Sequence, residues 1–334
     1  MKLATLKSAT PDGDLVVLSA DLARARRVPE IAPTLQSALD RWAEVEDALR
    51  WASDALESGH APDAFAFDPA AAMSPLPRAY LVFDASNYLR HHELMGRIFN
   101  KPVIGATFTE PFGYQSGRGV LLGPRDDIVM PKNAEMWGMD FEAEVAVVTD
   151  RVPMGTPVEQ AARHIKLVML MNDVSLRNLN LRELEKGFGL FVSKPINAFS
   201  PAAVTPDALG AAWDGDKLHL PIVSTYNGTE FGRPDAGNGM LFGFPALIAY
   251  CAQTRELGPG SIIGGGTVSN RDPKVGSSCI TERRALEIAQ YGEPRTEFMA
   301  FGDRIRIEAF DAEKRSVFGA IDHKVAPLQP RPAE

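Results

Sequence analysis

The chain has 334 residues, of which 45% are hydrophobic and 23% are charged, a composition typical of a globular protein that can bury a sizeable core. Its formal net charge of −8 and its lack of a basic run argue against nucleic acid and anionic membranes as partners. The N-terminus lacks a signal-peptide core and no run of about 18 apolar residues occurs, so the sequence predicts no contact with a membrane.

The first predicted elements are two short strands at 3–6 and 14–19. The turn Pro11-Asp-Gly-Asp14 separates them, and its Asp-Gly pair suits a hairpin. Over residues 34–57, apolar residues recur at steps of three and four with charged residues between them. That periodicity predicts one amphipathic helix, which needs a surface to pack against.

A proline-rich passage separates this region from the rest of the chain. Four prolines occur between residues 61 and 78, which excludes a regular helix or a central strand throughout. We interpret the passage as a linker between a small α+β N-terminal domain over 1–75 and a main domain over 76–334.

The main domain is predicted to be rich in strands with few, scattered helices, which favours a β-rich α+β fold over a doubly wound one. Strand-like runs, divided by Gly/Pro turns, occur at 79–83, 119–122, 141–148, 167–173, 222–226, 261–264, 303–310 and 317–320. Short helices are predicted at 88–99, 157–165, 179–186 and 240–254.

Two carboxylates stand two residues apart in the predicted strand 141–148. Glu142 and Glu144 share one face of that strand, because side chains alternate, while the residues between and after them are apolar. Two carboxylates this close repel unless a cation or a proton lies between them. The alternative is a solvated face on an edge strand.

Three other polar residues are not explained by the strand pattern. Asp173 ends an apolar run, where it either caps a turn or serves a site. Lys194 stands in an apolar setting, where it is either a surface residue or a cation held for an anionic substrate. His91, on the predicted helix 88–99, is either polar surface or a group for proton transfer.

The two cysteines, Cys251 and Cys279, stand in unrelated contexts without Cys-x-x-Cys spacing. This argues against both a disulfide framework and a zinc site. We therefore expect a reduced, cytoplasmic protein.

Four motifs, in this order and at these separations, resemble those of the fumarylacetoacetate hydrolase family over about residues 80 to 325. They are Asn87-Tyr-Leu-Arg-His91, Glu142-Ala-Glu144, Met171-Asn-Asp173 and Lys194. Further similar stretches are Pro111-Phe-Gly-Tyr114 followed by Gly117-Arg118, the glycine-rich stretch from Gly258 to Thr267, and Gly302-Asp303.

The resemblance implies a mixed β-sandwich or β-roll core, a homodimer, and one divalent cation, Mg²⁺ or Ca²⁺. Carried over residue by residue, it implies a set of four metal ligands, Asp84, Glu142, Glu144 and Asp173. It also implies His91 as general base and Lys194 as a substrate or oxyanion contact. Acidic oxygen donors suit such a hard ion, whereas zinc would be expected to recruit His or Cys.

The substrate pocket matches the family less well. Asn100 stands where some members carry a substrate-binding arginine, Asn180 where they carry glutamine and Leu184 where they carry tyrosine. The acid that orients His91 is not in direct register with the family's, and Glu282 is our nominee. The residues predicted to contact substrate are Tyr114, Arg97, Asn180 and Thr267.

The resemblance further implies a small-molecule substrate with a 1,3-diketo or 2-oxo acid unit, such as fumarylacetoacetate or an acylpyruvate, and hydrolysis of a C–C bond in it. Hydration or decarboxylation of a 2-oxo acid within the same family remains open. A non-catalytic metal-binding scaffold is the alternative outside enzymes, because fold does not fix function.

Overall fold

The computed structural model describes residues 1–98, 100, 105–116 and 119–329, and this part contains seventeen strands and seven α-helices. The strands are β1 Lys2–Leu6, β2 Asp14–Leu18, β3 Arg24–Arg27, β4 Phe65–Ala66, β5 Val82–Ala85, β6 Gly113–Ser116, β7 Ile128–Met130, β8 Met139–Asp140, β9 Ala143–Thr149, β10 Ile165–Leu176, β11 Ile196–Phe199, β12 Ala203–Val204, β13 Ile222–Tyr226, β14 Thr229–Gly232, β15 Ser261–Gly264, β16 Arg304–Ala309 and β17 Ile321–Pro327. The helices are α1 Leu35–Leu39, α2 Trp42–Glu57, α3 Leu89–Ile98, α4 Val158–Ala161, α5 Arg177–Lys186, α6 Phe244–Ala252 and α7 Ile280–Tyr291.

These strands form two sheets. The larger runs in the order β4-β3-β2-β1-β12-β10-β9-β15-β5-β6, with β8 and β11 also pairing with β10. The smaller runs β14-β13-β16-β17-β7. Both sheets mix parallel and antiparallel pairs, since β15 and β5 are parallel in the first, as are β17 and β7 in the second. The predicted β-rich α+β class is confirmed.

The centre of the large sheet is buried on both faces. On β9, Val145 and Val147 pack in the core that also holds Ile305 of the small sheet. Ala146 and Val148 face the second core, beneath the N-terminal helices. Burial on both faces explains why this stretch is almost continuously apolar rather than alternating.

The N-terminal strands extend the large sheet, because β1 pairs with both β2 and β12. Leu49 and Leu56 of α2 pack in the second core with Leu15 and Val17 of β2. The division into domains 1–75 and 76–334 stays a prediction. No helix in the described ranges is both long and apolar enough to span a bilayer.

Several predicted boundaries were right. Strands 222–226 and 261–264 coincide with β13 and β15. The single helix predicted over 34–57 is wrong, because α1 and α2 are separate. Thr34 and Ser37 form a capping box at α1, and the chain turns at Asp40 before α2 begins.

Two predicted strands were misplaced. Residues 119–122 make only an isolated bridge from Leu122 to Ala198, and Gly119 has a positive φ that interrupts extended backbone. The strand predicted at 317–320 begins instead at Ile321, after a turn in which Gly319 has φ +71°. The helix predicted over 240–254 starts at Phe244, with Gly243 at its N-cap. Residue 99, at the end of the predicted helix 88–99, lies outside the described residues.

Candidate metal and active site

Four buried carboxylates meet at the centre of the large sheet. Each of Asp84, Glu142, Glu144 and Asp173 offers an oxygen atom, and these atoms all lie within 4.8 Å of one another. Asp84 lies on β5, Glu144 on β9 and Asp173 on β10, and Glu142 stands directly before β9. These are the four residues that the sequence predicted as ligands, and the fold brings them together.

Strand register accounts for their proximity. Glu144 on β9 stands opposite Met171 on β10. Asp173 lies two residues after Met171 on β10 and is therefore close to Glu144. Gly264 stands beside Asp84 in the parallel β5–β15 pair. A Cβ atom on Gly264 would come within 2.5 Å of Asp84 Oδ1, so the absence of a side chain there lets the carboxylate lie against β15.

The pKa is raised in three of the four carboxyl groups of this cluster and lowered in the fourth. Burial raises the pKa of Asp84 and Glu144 well above their usual range, and neighbouring carboxylates raise them further. Burial also raises the pKa of Asp173, against the opposing charge of Lys194. Glu142 is the exception: although burial opposes ionisation, the charges of Arg177 and Lys194 hold its pKa well below the usual range. Three of the four carboxyl groups therefore favour the protonated form unless a cation replaces the proton.

The oxygens that lack hydrogen bonds also fit a cation. Among the described residues, Asp84 Oδ1 and both carboxylate oxygens of Glu144 are buried and accept no hydrogen bond from a donor group, and the two carboxyl groups lie close enough to share a proton. Buried polar atoms are normally paired, so unpaired ones call for an explanation such as an ion. An all-oxygen set with several carboxylates fits a hard divalent cation such as Mg²⁺, Mn²⁺ or Ca²⁺.

Lys194 and Tyr114 contact the same cluster. Lys194 Nζ is buried and donates to Glu142 Oε2, and to Asp173 Oδ2 over 2.5 Å. Burial lowers the pKa of the ammonium group, but Asp173 and Glu142 outweigh it and raise the pKa overall. The Tyr114 hydroxyl donates to Asp173 Oδ2 over 2.5 Å, and its ring centroid lies 5.5 Å from Lys194 Nζ. The surface alternative for Lys194 is therefore wrong.

A pair of residues that the sequence did not single out supports Glu142. Arg177, at the start of α5, is buried and donates to Glu142 Oε1 over 2.7 Å and to Asp140 Oδ2 over 2.8 Å. Asp140 also accepts hydrogen bonds from the backbone of Ile280 and from the backbone and hydroxyl of Thr281. The segment that carries Asp140 and Glu142 is thereby joined to the N-terminus of α7.

His91 and Glu282 form a buried pair beside the carboxylate cluster. His91 Nδ1 lies 2.8 Å from Glu282 Oε1, although the two residues are 191 positions apart. The other ring nitrogen, Nε2, lies 4.0 Å from Glu142 Oε1. Glu282 occupies the first turn of α7, the helix whose N-terminus Asp140 holds. A neutral ring that donates from Nδ1 would leave Nε2 free to accept a proton.

The other predicted substrate contacts are spread more widely. Asn180 is buried and its Nδ2 lies 3.4 Å from the hydroxyl of Ser193, next to Lys194. Thr267 is buried directly after Gly266, where a Cβ atom would come within 2.3 Å of the carbonyl oxygen of Ala85. Arg97 is exposed near the end of α3. Gly117 and Arg118 lie outside the described residues.

Two family descriptions match the chain: "Fumarylacetoacetate (FAA) hydrolase C-terminal" matches residues 81–326, and "Fumarylacetoacetase N-terminal domain 2" matches residues 1–78. The first covers the whole of the carboxylate cluster, Lys194 and the His91–Glu282 pair. The sequence resemblance over about residues 80 to 325 is confirmed by this match.

Individual proteins are also similar. The chain is 32% identical over 164 residues to a 2,4-didehydro-3-deoxy-L-rhamnonate hydrolase of Sphingomonas sp. (strain SKA58), which covers 48% of this chain and 53% of that one. It is 28% identical over 228 residues to the mitochondrial oxaloacetate tautomerase FAHD2A of Homo sapiens, which covers 64% of this chain and 67% of that one.

A solved structure extends the similarity to nearly the whole chain. Maleylpyruvate hydrolase from Sphingobium sp. SYK-6, in complex with manganese(II) ion and pyruvate, matches with a TM-score of 0.66 over 98% of this chain and 100% of that one. At 17% sequence identity this likeness shows the fold alone.

Proposed function

The chain belongs to the fumarylacetoacetate hydrolase family, and on that basis we propose that it is a metal-dependent hydrolase that cleaves a C–C bond in a 1,3-diketo acid. Fumarylacetoacetate and related acylpyruvates are the substrates of this class that we expect. The observation that carries the proposal is the His91–Glu282 pair, whose free ring nitrogen faces Glu142 of the carboxylate cluster at 4.0 Å. A structural cation alone would need no such pair.

Asp84, Glu142, Glu144 and Asp173 would hold the cation, which we propose to be Mg²⁺ or Ca²⁺ because every donor is an oxygen. When bound, the ion supplies a Lewis acid for the two oxygens of a diketo or 2-oxo acid unit. The Sphingobium maleylpyruvate hydrolase, which shares this fold, was solved with manganese(II), and the four carboxylates here are the donors that such a hard divalent cation prefers.

His91 is proposed as the general base. Its Nε2 takes a proton from water, and the hydroxide adds to the distal carbonyl carbon of the substrate. The bond between that carbon and its neighbour then breaks, and the electron pair remains on the neighbour as an enolate, which receives a proton in turn. Glu282 fixes the ring and stabilises its protonated form, as a carboxylate beside a catalytic histidine does in other hydrolases.

Lys194 is proposed to stabilise the negative charge that develops on the substrate. Its ammonium group is buried beside Glu142 and Asp173, and its raised pKa keeps it charged. A fixed positive charge in a site that excludes water stabilises an oxyanion more than one in solvent does. Tyr114, Asn180, Thr267 and Arg97 are proposed to contact the remainder of the substrate. We further propose a homodimer in the cytoplasm.

A second candidate function is tautomerisation of a 2-oxo acid. It is favoured by the similarity to the human oxaloacetate tautomerase, which extends over 228 residues. That reaction needs a base to move a proton between carbon and oxygen, and His91 could serve it without a nucleophilic water. Hydration and decarboxylation of a 2-oxo acid would draw on the same residues.

One assay separates these alternatives. The purified chain is offered fumarylacetoacetate, fumarylpyruvate, simple acylpyruvates and oxaloacetate, with Mg²⁺ and with chelator, and the products are identified. We expect Mg²⁺-dependent hydrolysis of a diketo acid, abolished in Glu142→Gln, with Glu159→Gln on exposed α4 as the matched control. Tautomerisation of oxaloacetate without hydrolysis would favour the second candidate. No turnover of any of these compounds would favour the scaffold.

A further inference from the structure

Cys279 is a buried thiol that the proposed mechanism does not use. It stands at the N-cap of α7, and its Sγ accepts a hydrogen bond from the backbone N–H of Glu282 over 3.4 Å. A ring nitrogen of His91, Cys279 Sγ and a carboxylate oxygen of Glu282 all lie within 4.8 Å of one another. We propose that these three side chains form a second metal site, selective for a thiophilic divalent cation such as Zn²⁺ or Cd²⁺, whose occupancy blocks the base.

The donor set differs in kind from that of the carboxylate cluster. One thiolate, one imidazole and one carboxylate are typical zinc ligands, and three protein ligands with one open position are a common zinc arrangement. Mg²⁺ and Ca²⁺ prefer oxygen and gain little from sulfur or nitrogen. The two clusters are therefore expected to take different ions, a hard cation at the carboxylates and a thiophilic cation at Cys279.

The geometry needs only small side-chain movements. Ligand atoms around a tetrahedral zinc ion are about 3.3 to 3.6 Å apart. His91 Nδ1 and Glu282 Oε1 are 2.8 Å apart, so they would separate slightly as an ion enters between them. Cys279 and Glu282 are three residues apart at the start of one helix, a spacing that keeps their side chains adjacent.

A small pocket between α3 and α7 has Glu282 in its lining. Ser277, Leu94 and the exposed Arg271 and Asp272 line it as well, whereas Cys279 and His91 do not. The hydroxyl of Ser277 is buried and has no hydrogen-bond partner among the described residues, so a polar group without a partner lies beside Glu282 in this lining. The carboxylate cluster contributes no residue to this pocket.

Binding releases a proton, because the thiol becomes a thiolate as the sulfur–metal bond forms. No oxidant or reductant takes part. A cation bound to His91 and Glu282 removes the hydrogen bond that orients the ring. If the proposed function is correct, Zn²⁺ would then inhibit turnover, and added Mg²⁺ would not restore it, since Mg²⁺ binds elsewhere. The inhibition rests on the proposed function, whereas the binding does not.

The experiment uses Cd²⁺ with the full chain in excess Mg²⁺, and measures the ultraviolet absorption of a cadmium–thiolate bond during titration. We expect one such bond per wild-type chain and none in Cys279→Ser, with the Cd²⁺ affinity at least about tenfold weaker in the variant. The matched control is Cys251→Ser, which removes the other thiol and should behave as wild type.

Circular dichroism first establishes that each variant is folded. His91→Gln provides a second variant that keeps the thiol, and it should weaken Cd²⁺ binding by about tenfold as well. Absence of cadmium–thiolate absorption in the wild type, or its loss in Cys251→Ser alone, would overturn the proposal. Because no substrate is needed, this result is independent of the catalytic assay. If excess Mg²⁺ fully relieved the inhibition by Zn²⁺, only the claim that the ion at Cys279 inhibits turnover would be overturned.

Discussion

Arg177 Nε donates a hydrogen bond to Asp140 Oδ2 over 2.8 Å, and both side chains are buried. The other end of the guanidinium group holds Glu142, and the other hydrogen bonds of Asp140 hold the N-terminus of α7. Since α7 carries Glu282, this one ion pair joins the carboxylate cluster to the histidine pair. Two parts of the site that come from distant sequence segments are therefore linked through this ion pair.

We predict that Asp140→Asn weakens both parts. The amide has the shape of the carboxylate but loses its charge, and its nitrogen cannot accept the hydrogen bonds of Thr281 and Arg177. Breaking a buried ion pair typically costs about 3 to 5 kcal/mol, and we expect a loss in this range together with a Mg²⁺ affinity about tenfold weaker. Chemical unfolding and calorimetry measure the two effects.

The control for this variant is Asp63→Asn, which removes a comparable ion pair with Arg26 at the surface. Surface pairs contribute at most about 1 kcal/mol, so this variant should resemble the wild type in both measurements. Equal stability of Asp140→Asn and Asp63→Asn would mean that the buried pair does not join the two parts.

The role of Asp140 could not be predicted from the sequence. Asp140 stands two residues before Glu142, so strand alternation alone would put both side chains on one face, but nothing else in the sequence marks it as part of the site. Its partner Arg177 lies 37 residues further on, and only the pairing of β8 with the end of β10 brings the two together. An arginine directly after a long buried strand was the one signal in the sequence that could have identified the pair.

Gly264→Ala is predicted to displace Asp84, a proposed metal ligand, without replacing any polar side chain. The added methyl group would lie 2.5 Å from Asp84 Oδ1 and 2.7 Å from the terminal carbon of Met171, so the carboxylate must move. Overpacking of this kind costs about 1 to 3 kcal/mol, and a displaced ligand should weaken Mg²⁺ binding. Calorimetric titration with Mg²⁺ measures the change.

Gly258→Ala is the matched control for this substitution, because nothing lies within 4 Å of the Cβ position there. It should bind Mg²⁺ as the wild type does. Unaltered Mg²⁺ affinity in Gly264→Ala would show that Asp84 is not a ligand.

Local sequence patterns determine the positions of some site residues more fully than those of others, for a physical reason. Three of the four carboxylates lie on strands of one sheet and Glu142 stands directly before β9, so fixed strand register makes their positions depend on few local choices. Glu282 lies on a helix that reaches His91 only through the packing of α3 against α7 and the cap at Asp140, so its position follows from tertiary contacts. Lys194 follows a loop that Glu183 anchors by accepting backbone hydrogen bonds at residues 191–193, which no strand or helix periodicity would indicate.

Stabilisation of the protein by Mg²⁺ is predicted to grow as pH rises from about 5 to 8. In the metal-free fold, Asp84, Glu144 and Asp173 have raised pKa values, so each contributes to the stability of the fold while it is protonated. This contribution is fully present below about pH 4 and declines as the pH rises. The contribution of Glu142 to the stability of the fold has the opposite pH dependence, because its pKa is lowered. That contribution is lost only as the pH falls below the usual carboxyl range.

Mg²⁺ replaces the lost protons, so it should raise the melting temperature more at pH 8 than at pH 5. Thermal unfolding with Mg²⁺ and with chelator at several pH values measures the difference, and Glu142→Gln should show little response to Mg²⁺ at any of them. A shift that is independent of pH, or larger at pH 5, would contradict the assignment of these carboxylates to the cation.

His91→Ala is predicted to separate catalysis from metal binding. Its ring makes its hydrogen bond to Glu282, whereas the carboxylates are held by Arg177, Lys194 and the sheet register, so Mg²⁺ affinity should stay close to that of the wild type. Loss of a general base lowers turnover by about 10² to 10⁴-fold, and we expect a fall in kcat of this size with little change in KM.

Glu282→Gln keeps the ring but loses the carboxylate charge that stabilises its protonated form, so its kcat should lie between those of His91→Ala and the wild type. The matched control is His60→Ala, since His60 is exposed and, among the described residues, its side chain is hydrogen-bonded only to the hydroxyl of Ser58; this variant should turn over normally. Normal turnover in His91→Ala would move the base to another residue, and loss of Mg²⁺ binding together with turnover would assign His91 a structural role instead.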